Sequence, residues 1–166
     1  LLKYSRAAAE ASPLSSVPLS EVLDEVIDDL STVISDSRAE VRHGEMPTLR
    51  VDRVQMHQLF QNLIENALKY RHPERSPVIM IESSSEVVNG MRRHRIIVKD
   101  NGIGFDAAQS NRMFRMFARL HQDGDQEGLG IGLATCQRIV RRHEGTISAE
   151  GEVGRGSTFI VTLPER

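Results

Sequence analysis

Asn62, Asn66 and Lys69 stand in steps of four and three within QNLIENALKY, residues 61–70. On a helix turning about 100° per residue, their side chains fall within roughly 60° of one another. Asn is a mediocre helix former because its carboxamide competes for backbone hydrogen bonds. Two of them beside an apolar stripe of Leu59, Phe60, Leu63, Ile64, Ala67 and Leu68 therefore call for a chemical reason. Three glycine clusters lie further along: Asp100-Asn101-Gly102-Ile103-Gly104, Gly128-Leu129-Gly130-Ile131-Gly132 and Gly154-Arg155-Gly156-Ser157-Thr158. In the first, glycine lets the backbone turn sharply and approach a ligand closely, leaving Asp100 as an ionised acceptor at the bottom of the turn. The second opens a helix, where bare N–H groups form an anion site. Carboxamide and phosphate oxygens are ligand types that Mg²⁺ takes. An acceptor for a base amine, a backbone cradle for phosphates and amide oxygens for a hard cation together describe a Mg-nucleotide site.

Taken singly, these features are ordinary. An Asn-Lys edge is a solvated helix face, and DNGIG is a loop. GLGIG is neither the GxGxxG of a dinucleotide fold nor the GxxxxGK[ST] of a P-loop. Their joint order carries the weight: an Asn helix, DxGxG after a strand, GxGxG opening a helix, then GxGST between strands.

The elements that must hold these residues can be read from periodicity and turn chemistry. LLKYSRAAAE is helix-compatible, and ASPLSSVP breaks it as a linker would. Ser20 reads as the N-cap of a helix running to about Ser35, with Val22, Leu23, Val26, Ile27, Leu30, Val33 and Ile34 at helical spacing. Short strands are expected near Glu40 to Arg42 and Thr48 to Val51, after which Asp52 caps the Asn helix. VIMIESSSEVV and MRRHRIIVK flank Asn89-Gly90, the strongest short hairpin signal. The second of these runs straight into DNGIG. GLGIGLATCQRIVRRHEG is a glycine-rich entry into a helix closed by Gly145. TISAE and STFIVTLP form a last strand pair around GEVGRG. Hairpins mixed with helices, without regular βαβ units, predict an α+β two-layer sandwich: a mixed, largely antiparallel sheet covered by helices on one face.

Composition excludes several classes. The chain has 166 residues, 39% hydrophobic and 27% charged, which fits one soluble domain with a real core. A net charge of −2 gives no electrostatic reason to expect nucleic acid or anionic lipid. Arg92, Arg93, Arg95, Arg141 and Arg142 form two-residue clusters and alternating strand positions, which do not make a binding stripe. The one cysteine, Cys136, cannot form an internal disulfide, so a reducing, cytoplasmic compartment is the simpler expectation. No run approaches a membrane span. The chain opens on LLKYSR without a Met and is expected to be a piece of something longer.

The order of the four boxes resembles the catalytic and ATP-binding domain of sensor histidine kinases, in the Bergerat-fold (GHKL) ATPase superfamily. The likeness runs over roughly residues 17 to 164, with residues 1–16 resembling the end of a dimerisation helix and its linker, and 17–166 the catalytic domain. The N box matches Asn62 through Tyr70, and the three glycine boxes match 100–104, 128–132 and 154–158. MFRMFARLH resembles the family's F box. The resemblance implies ATP and Mg²⁺ as cofactors. It gives Mg²⁺ coordination to Asn66, with Asn62 and Lys69 beside the phosphates and Tyr70 closing the box. Asp100 would accept the adenine amine, supported by Thr158, with Gly102 and Gly104 shaping the adenine pocket. Gly128, Gly130, Ile131, Gly132 and Leu133 would line the phosphate side at the hinge of a lid over 119–129, anchored by Phe114 and Phe117. Arg119 would reach the γ-phosphate, joining Asn62 and Lys69 as a catalytic residue.

The family moves the γ-phosphoryl of ATP to a histidine on its dimerisation helices, then to an aspartate of a response regulator. The implied partners are thus a homodimeric phosphoacceptor domain and a receiver domain. The acceptor is a helical His followed by an acidic residue and, shortly after, a proline, and none of the six histidines fits. His143-Glu144 runs into Gly145, His57 precedes Gln58, and His43, His72, His94 and His121 sit in loop or strand contexts. All six read as structural or surface residues. Three alternatives stay open: another Bergerat-fold enzyme such as an anti-sigma serine kinase, a non-catalytic binding module, and nucleic-acid binding.

Overall fold

The computed structural model describes residues 11–110, 112, 114 and 129–165. Its elements run β1 (Ser15–Pro18), α1 (Leu19–Asp29), α2 (Ser31–Asp36), β2 (Glu40–His43), β3 (Thr48–Val51), α3 (Arg53–Lys69), β4 (Val78–Val88), β5 (Met91–Asp100), α4 (Leu129–Arg142), β6 (Thr146–Glu152) and β7 (Gly156–Pro164). A single 3-10 turn covers Ala107–Gln109.

The β4–β5 hairpin forms around Asn89 (φ 53°) and Gly90 (φ 77°), with Val88 opposite Met91. Positive φ at both central residues matches the right-handed strand twist, which is why Asn-Gly marks this turn. β7 then pairs antiparallel with β5 and with β6. β2 adds to the far edge in parallel with β4, giving the order β2-β4-β5-β7-β6. A second, two-stranded sheet joins β1 to β3.

Alternation along the strands sends one row to the core. Ile81, Val98 and Phe159 lie opposite one another across β4, β5 and β7, and so do Ile96 and Val161. All five are buried, whereas Glu82 and Lys99 between them are exposed. The helices cover that inner face: Met56, Leu59, Phe60, Leu63 and Ile64 of α3 are fully buried with Val22, Leu23 and Val26 of α1. Each such side chain contributes roughly 1.5–3 kcal/mol by leaving water. The α+β fold with helices on one face of a mostly antiparallel sheet is the one the sequence predicts.

Four details differ. Helix α1 begins at Leu19, not after Ser20, and its N-cap is Pro18, which offers no side-chain bond. Pro18 is the last residue of β1, opposite Thr48, so strand pairing sets where the helix starts. The expected single helix to Ser35 is split at Leu30 (φ −96°, ψ 10°), which lies outside the α-helical basin but keeps its side chain buried. The second half of the expected linker is strand β1, which begins before residue 17. Finally, α4 ends in a Schellman motif whose left-handed residue is Glu144 (φ 58°), while Gly145 follows it and donates to Val140 O at 2.9 Å. Glycine is needed at 145 because a Cβ there would collide with the Thr162 carbonyl.

Asp52 joins both ends of the fold. Its carboxylate caps α3 by accepting from Gln55 N at 3.1 Å, and it also accepts from Ser12 N at 2.8 Å and Arg142 Nη1 at 3.3 Å. Its own N–H donates to His143 Nε2 at 3.0 Å, while His143 Nδ1 lies 2.7 Å from Ile139 O. A backbone N–H can only donate and a carbonyl can only accept, so His143 is the neutral tautomer protonated on Nδ1. This histidine is structural, as expected.

Candidate functional site

Asp100 is the last residue of β5 and continues the core-facing row, opposite Ile79 and Ser157. It is 9% exposed. Burial pushes its carboxyl up to about 6, partly countered by two backbone N–H groups that favour the ionised form. Those donors are Gly102 N at 2.8 Å and Ser157 N at 3.3 Å, both to Oδ1. Oδ2 has no partner among the described residues. A half-satisfied buried carboxylate at the end of a strand is an acceptor held ready for a donor.

The loop after Asp100 is packed backbone to backbone. A Cβ on Gly102 would stand 2.5 Å from Tyr70 O, and Gly104 (φ 68°) would strike the Glu152 carbonyl. Gly156 (φ 127°) abuts the Asp100 carbonyl in the same way. Ile103 N donates to Tyr70 O at 3.0 Å, and Gly154 N donates to Ile103 O at 2.7 Å. The first glycine cluster is thus wedged between the end of α3 and the third cluster. Only glycine fits at positions with both a left-handed φ and no room for a Cβ.

The Asn edge of α3 meets the second cluster. Asn62 Nδ2 donates to Gly132 O at 3.3 Å, and its Oδ1 accepts from Gln58 Nε2 at 2.8 Å. Asn66, one turn on, is half-buried and its carboxamide has no hydrogen-bond partner among the described residues. An amide oxygen left open in this way fits a hard cation. No group of three His, Cys, Asp or Glu that could hold a metal occurs among the described residues, so such a cation would rely on this oxygen and on the ligand. Lys69 is exposed, with Nζ 5.6 Å from the Tyr70 ring centroid. Tyr70 itself is buried, and burial pushes its phenol up to about 12, so it stays neutral. Its carbonyl, rather than its hydroxyl, shapes the site.

Helix α4 starts at Leu129, so the backbone N–H groups of Leu129, Gly130 and Ile131 belong to its first turn, where no intrahelical acceptor is available. A Cβ on Gly132 would meet nothing within 4 Å, so its outer side is open. Leu133 is buried, and its side chain serves the core. Cys136 below it lies 3.9 Å from Leu59 O, and burial pushes its thiol up to about 12, which makes it an inert packing residue. Phe114 packs edge-on against Phe159 with centroids 6.3 Å apart. Phe117 and residues 119–128 of the expected lid 119–129, Arg119 and Gly128 among them, lie outside the described residues.

Thr158 is a correction. The register sets it opposite Lys99, on the helix-free face, while Ser157 lies opposite Asp100. Successive strand residues face opposite sides. The residue beside the carboxylate is therefore Ser157. Sequence reasoning also passed over Arg75, whose guanidinium donates to the carbonyls of Asn101, Gly102 and Gly154.

Residues 51–166 hold α3 and all three glycine clusters. They match the histidine kinase-, DNA gyrase B-, and HSP90-like ATPases, and the chain belongs to that family. Its relatives include named kinases. It is 36% identical over 164 residues to cyanobacterial phytochrome A of Nostoc sp., covering 99% of this chain and 21% of that protein. It is 39% identical over 122 residues to the adaptive-response sensory kinase SasA of Synechococcus elongatus, covering 73% of this chain and 30% of that one. This chain therefore spans well under half the length of these relatives. The catalytic domain of histidine kinase ThkA superposes with a TM-score of 0.74 at 22% identity, over 93% of this chain and 97% of that one. Full-length ShkA in complex with AMPPNP gives 0.77 at 24% identity, over 98% of this chain and 34% of that one. The expected ATP-binding domain of the sensor-histidine-kinase type is borne out. Among the described residues no helix is long and apolar enough to cross a membrane.

Proposed function

We propose that this chain binds Mg·ATP as the catalytic domain of a sensor histidine kinase. The γ-phosphoryl goes to a histidine on a homodimeric dimerisation domain, then to the receiver aspartate of a response regulator, in the cytoplasm. The observation that carries this reading is Asp100, a buried acceptor fixed by Gly102 N and Ser157 N with Oδ2 left for a donor. An adenine exocyclic amine is such a donor.

In this reading Asn66 offers its amide oxygen to Mg²⁺, which supplies charge neutralisation on the phosphates. Asn62 fixes the first turn of α4 through Gly132 O. The free N–H groups of 130 and 131 then face the phosphates, with Lys69 adding positive charge nearby. Gly102 and Gly104 let the backbone form the wall beside the base. By likeness to the family, Arg119, Gly128 and Ile131 are assigned to the phosphate side, and Ser157 takes the support role expected of Thr158. Phosphoryl transfer needs position and charge neutralisation more than covalent help from the protein.

The test is a calorimetric titration of the chain with ADP and a non-hydrolysable ATP analogue, with and without Mg²⁺. Saturable binding strengthened by Mg²⁺ is expected. No heat at millimolar nucleotide would overturn the assignment.

A further inference from the structure

Between α3 and β4 runs RHPERSP, residues 71–77, a segment that none of the nucleotide boxes includes. Arg75 projects from it onto three carbonyls of two other segments. Nε donates to Asn101 O at 2.8 Å, and Nη2 donates to Gly102 O at 3.3 Å and to Gly154 O at 2.6 Å. Asn101 answers from the other side, with Oδ1 accepting from Val78 N at 2.8 Å and Nδ2 donating to Ser76 O at 3.1 Å. The segment 75–78, the loop after Asp100 and the β6–β7 turn are thus tied into one unit.

That unit carries the two donors that hold Asp100. Gly102 N belongs to the loop and Ser157 N to the strand leaving the turn, and both reach Oδ1. The direction in which Oδ2 points follows from how these two backbones sit relative to each other. Among the described residues the loop and the turn are joined directly by Gly154 N donating to Ile103 O and by close glycine packing. A guanidinium is suited to clasp them, since its donors are fixed in a planar fork, whereas an ammonium is a point charge that cannot span three carbonyls.

We propose that Arg75 is a positioning residue for base recognition: by clasping the Asp100 loop to the β6–β7 turn it aims the carboxylate at the adenine amine and so sets the preference for adenine over other bases. This rests on the nucleotide reading above. Arg75 touches no phosphate in this scheme, so its loss weakens recognition of the base selectively. Guanine presents a carbonyl where adenine presents its amine and gains nothing from a well-aimed carboxylate.

The experiment displaces a fluorescent ADP from the parent chain, Arg75→Ala and Arg75→Lys with unlabelled ADP and GDP, at a temperature where circular dichroism shows all three folded. The expected result is ADP affinity lower by about tenfold in both variants with GDP almost unchanged, so that the ADP-to-GDP preference narrows. The Lys variant keeps the charge without the fork, and its failure to rescue identifies the clasp. Equal losses for ADP and GDP would overturn the proposal in favour of a phosphate contact or general loosening. Unchanged binding of both, or full rescue by Lys, would overturn it while leaving the nucleotide site standing. A parent that binds no fluorescent ADP would overturn the site and this proposal together.

Discussion

Replacing Asp100 by Asn moves stability and nucleotide affinity in opposite directions. The carboxyl lies in the core-facing row, and burial raises it from 3.8 to about 6. A raised carboxyl favours the folded state in its protonated form, so its stabilising effect is full below pH 3.8 and is lost as pH rises through about 6. Two pH units correspond to about 3 kcal/mol, so at pH 7 the parent is destabilised by up to that amount. Asn does not titrate and keeps an oxygen for Gly102 N and Ser157 N, so Asp100→Asn is more stable than the parent at pH 7, by up to about 3 kcal/mol, with the gap closing below pH 4. Its Nδ2 then occupies the Oδ2 position and meets the adenine amine donor to donor. Loss of a charged hydrogen bond costs about 1.5–3 kcal/mol, roughly ten- to 150-fold in ADP affinity. In the parent, ADP affinity should weaken as pH falls below about 6, and the variant should lack the part of that dependence owed to this carboxyl. Urea unfolding at pH 4 and 7, paired with ADP calorimetry across the same range, reads both effects. A variant that binds ADP like the parent, or that is less stable at pH 7, would refute the reasoning.

Two further outcomes are expected. Asn66→Ala should leave Mg²⁺-free ADP binding within about twofold of the parent while removing most of the gain from Mg²⁺, since its half-buried carboxamide has no other partner among the described residues. Titrations in Mg²⁺ and in chelator separate the two, and an undiminished Mg²⁺ gain would exclude the ligand role. Asp52→Ala removes the α3 cap and the fully buried carboxylate that accepts from Ser12 N and Arg142 Nη1, which should lower stability by about 2–3 kcal/mol in urea unfolding. A loss below about 0.5 kcal/mol would show that the hub is not stabilising.

What could be read from the sequence was what local pattern encodes. The apolar spacing from Met56 to Leu68 and the Asp52 cap defined α3, and Asn89-Gly90 set the hairpin register that delivers Asp100 to the end of β5. Two strands near residues 40–42 and 48–51 were also visible, but not that they join different sheets, because four-residue strands carry no mark of their partners. Ser157 and Thr158 are chemically alike, and only the register with Asp100 and Lys99 decides between them. Arg75 had no signal, since its partners are backbone carbonyls 26, 27 and 79 positions away, and any residue supplies those. The helix start after Ser20 failed because a good capping residue lost to strand pairing at Pro18.

The Asp52 hub also governs the order in which the domain can be completed during synthesis. Its partners Arg142 and His143 lie 90 and 91 positions downstream, and the Ser12 carbonyl accepts from Arg142 across 130. The β1–β3 sheet and α3 can assemble while the chain is still emerging, yet the buried end of α3 keeps a charged group unmatched until α4 has been made. Contacts so distant in sequence are slow to form because the intervening chain must be closed first. The last quarter of the chain, which supplies α4, is therefore what locks the first half in place.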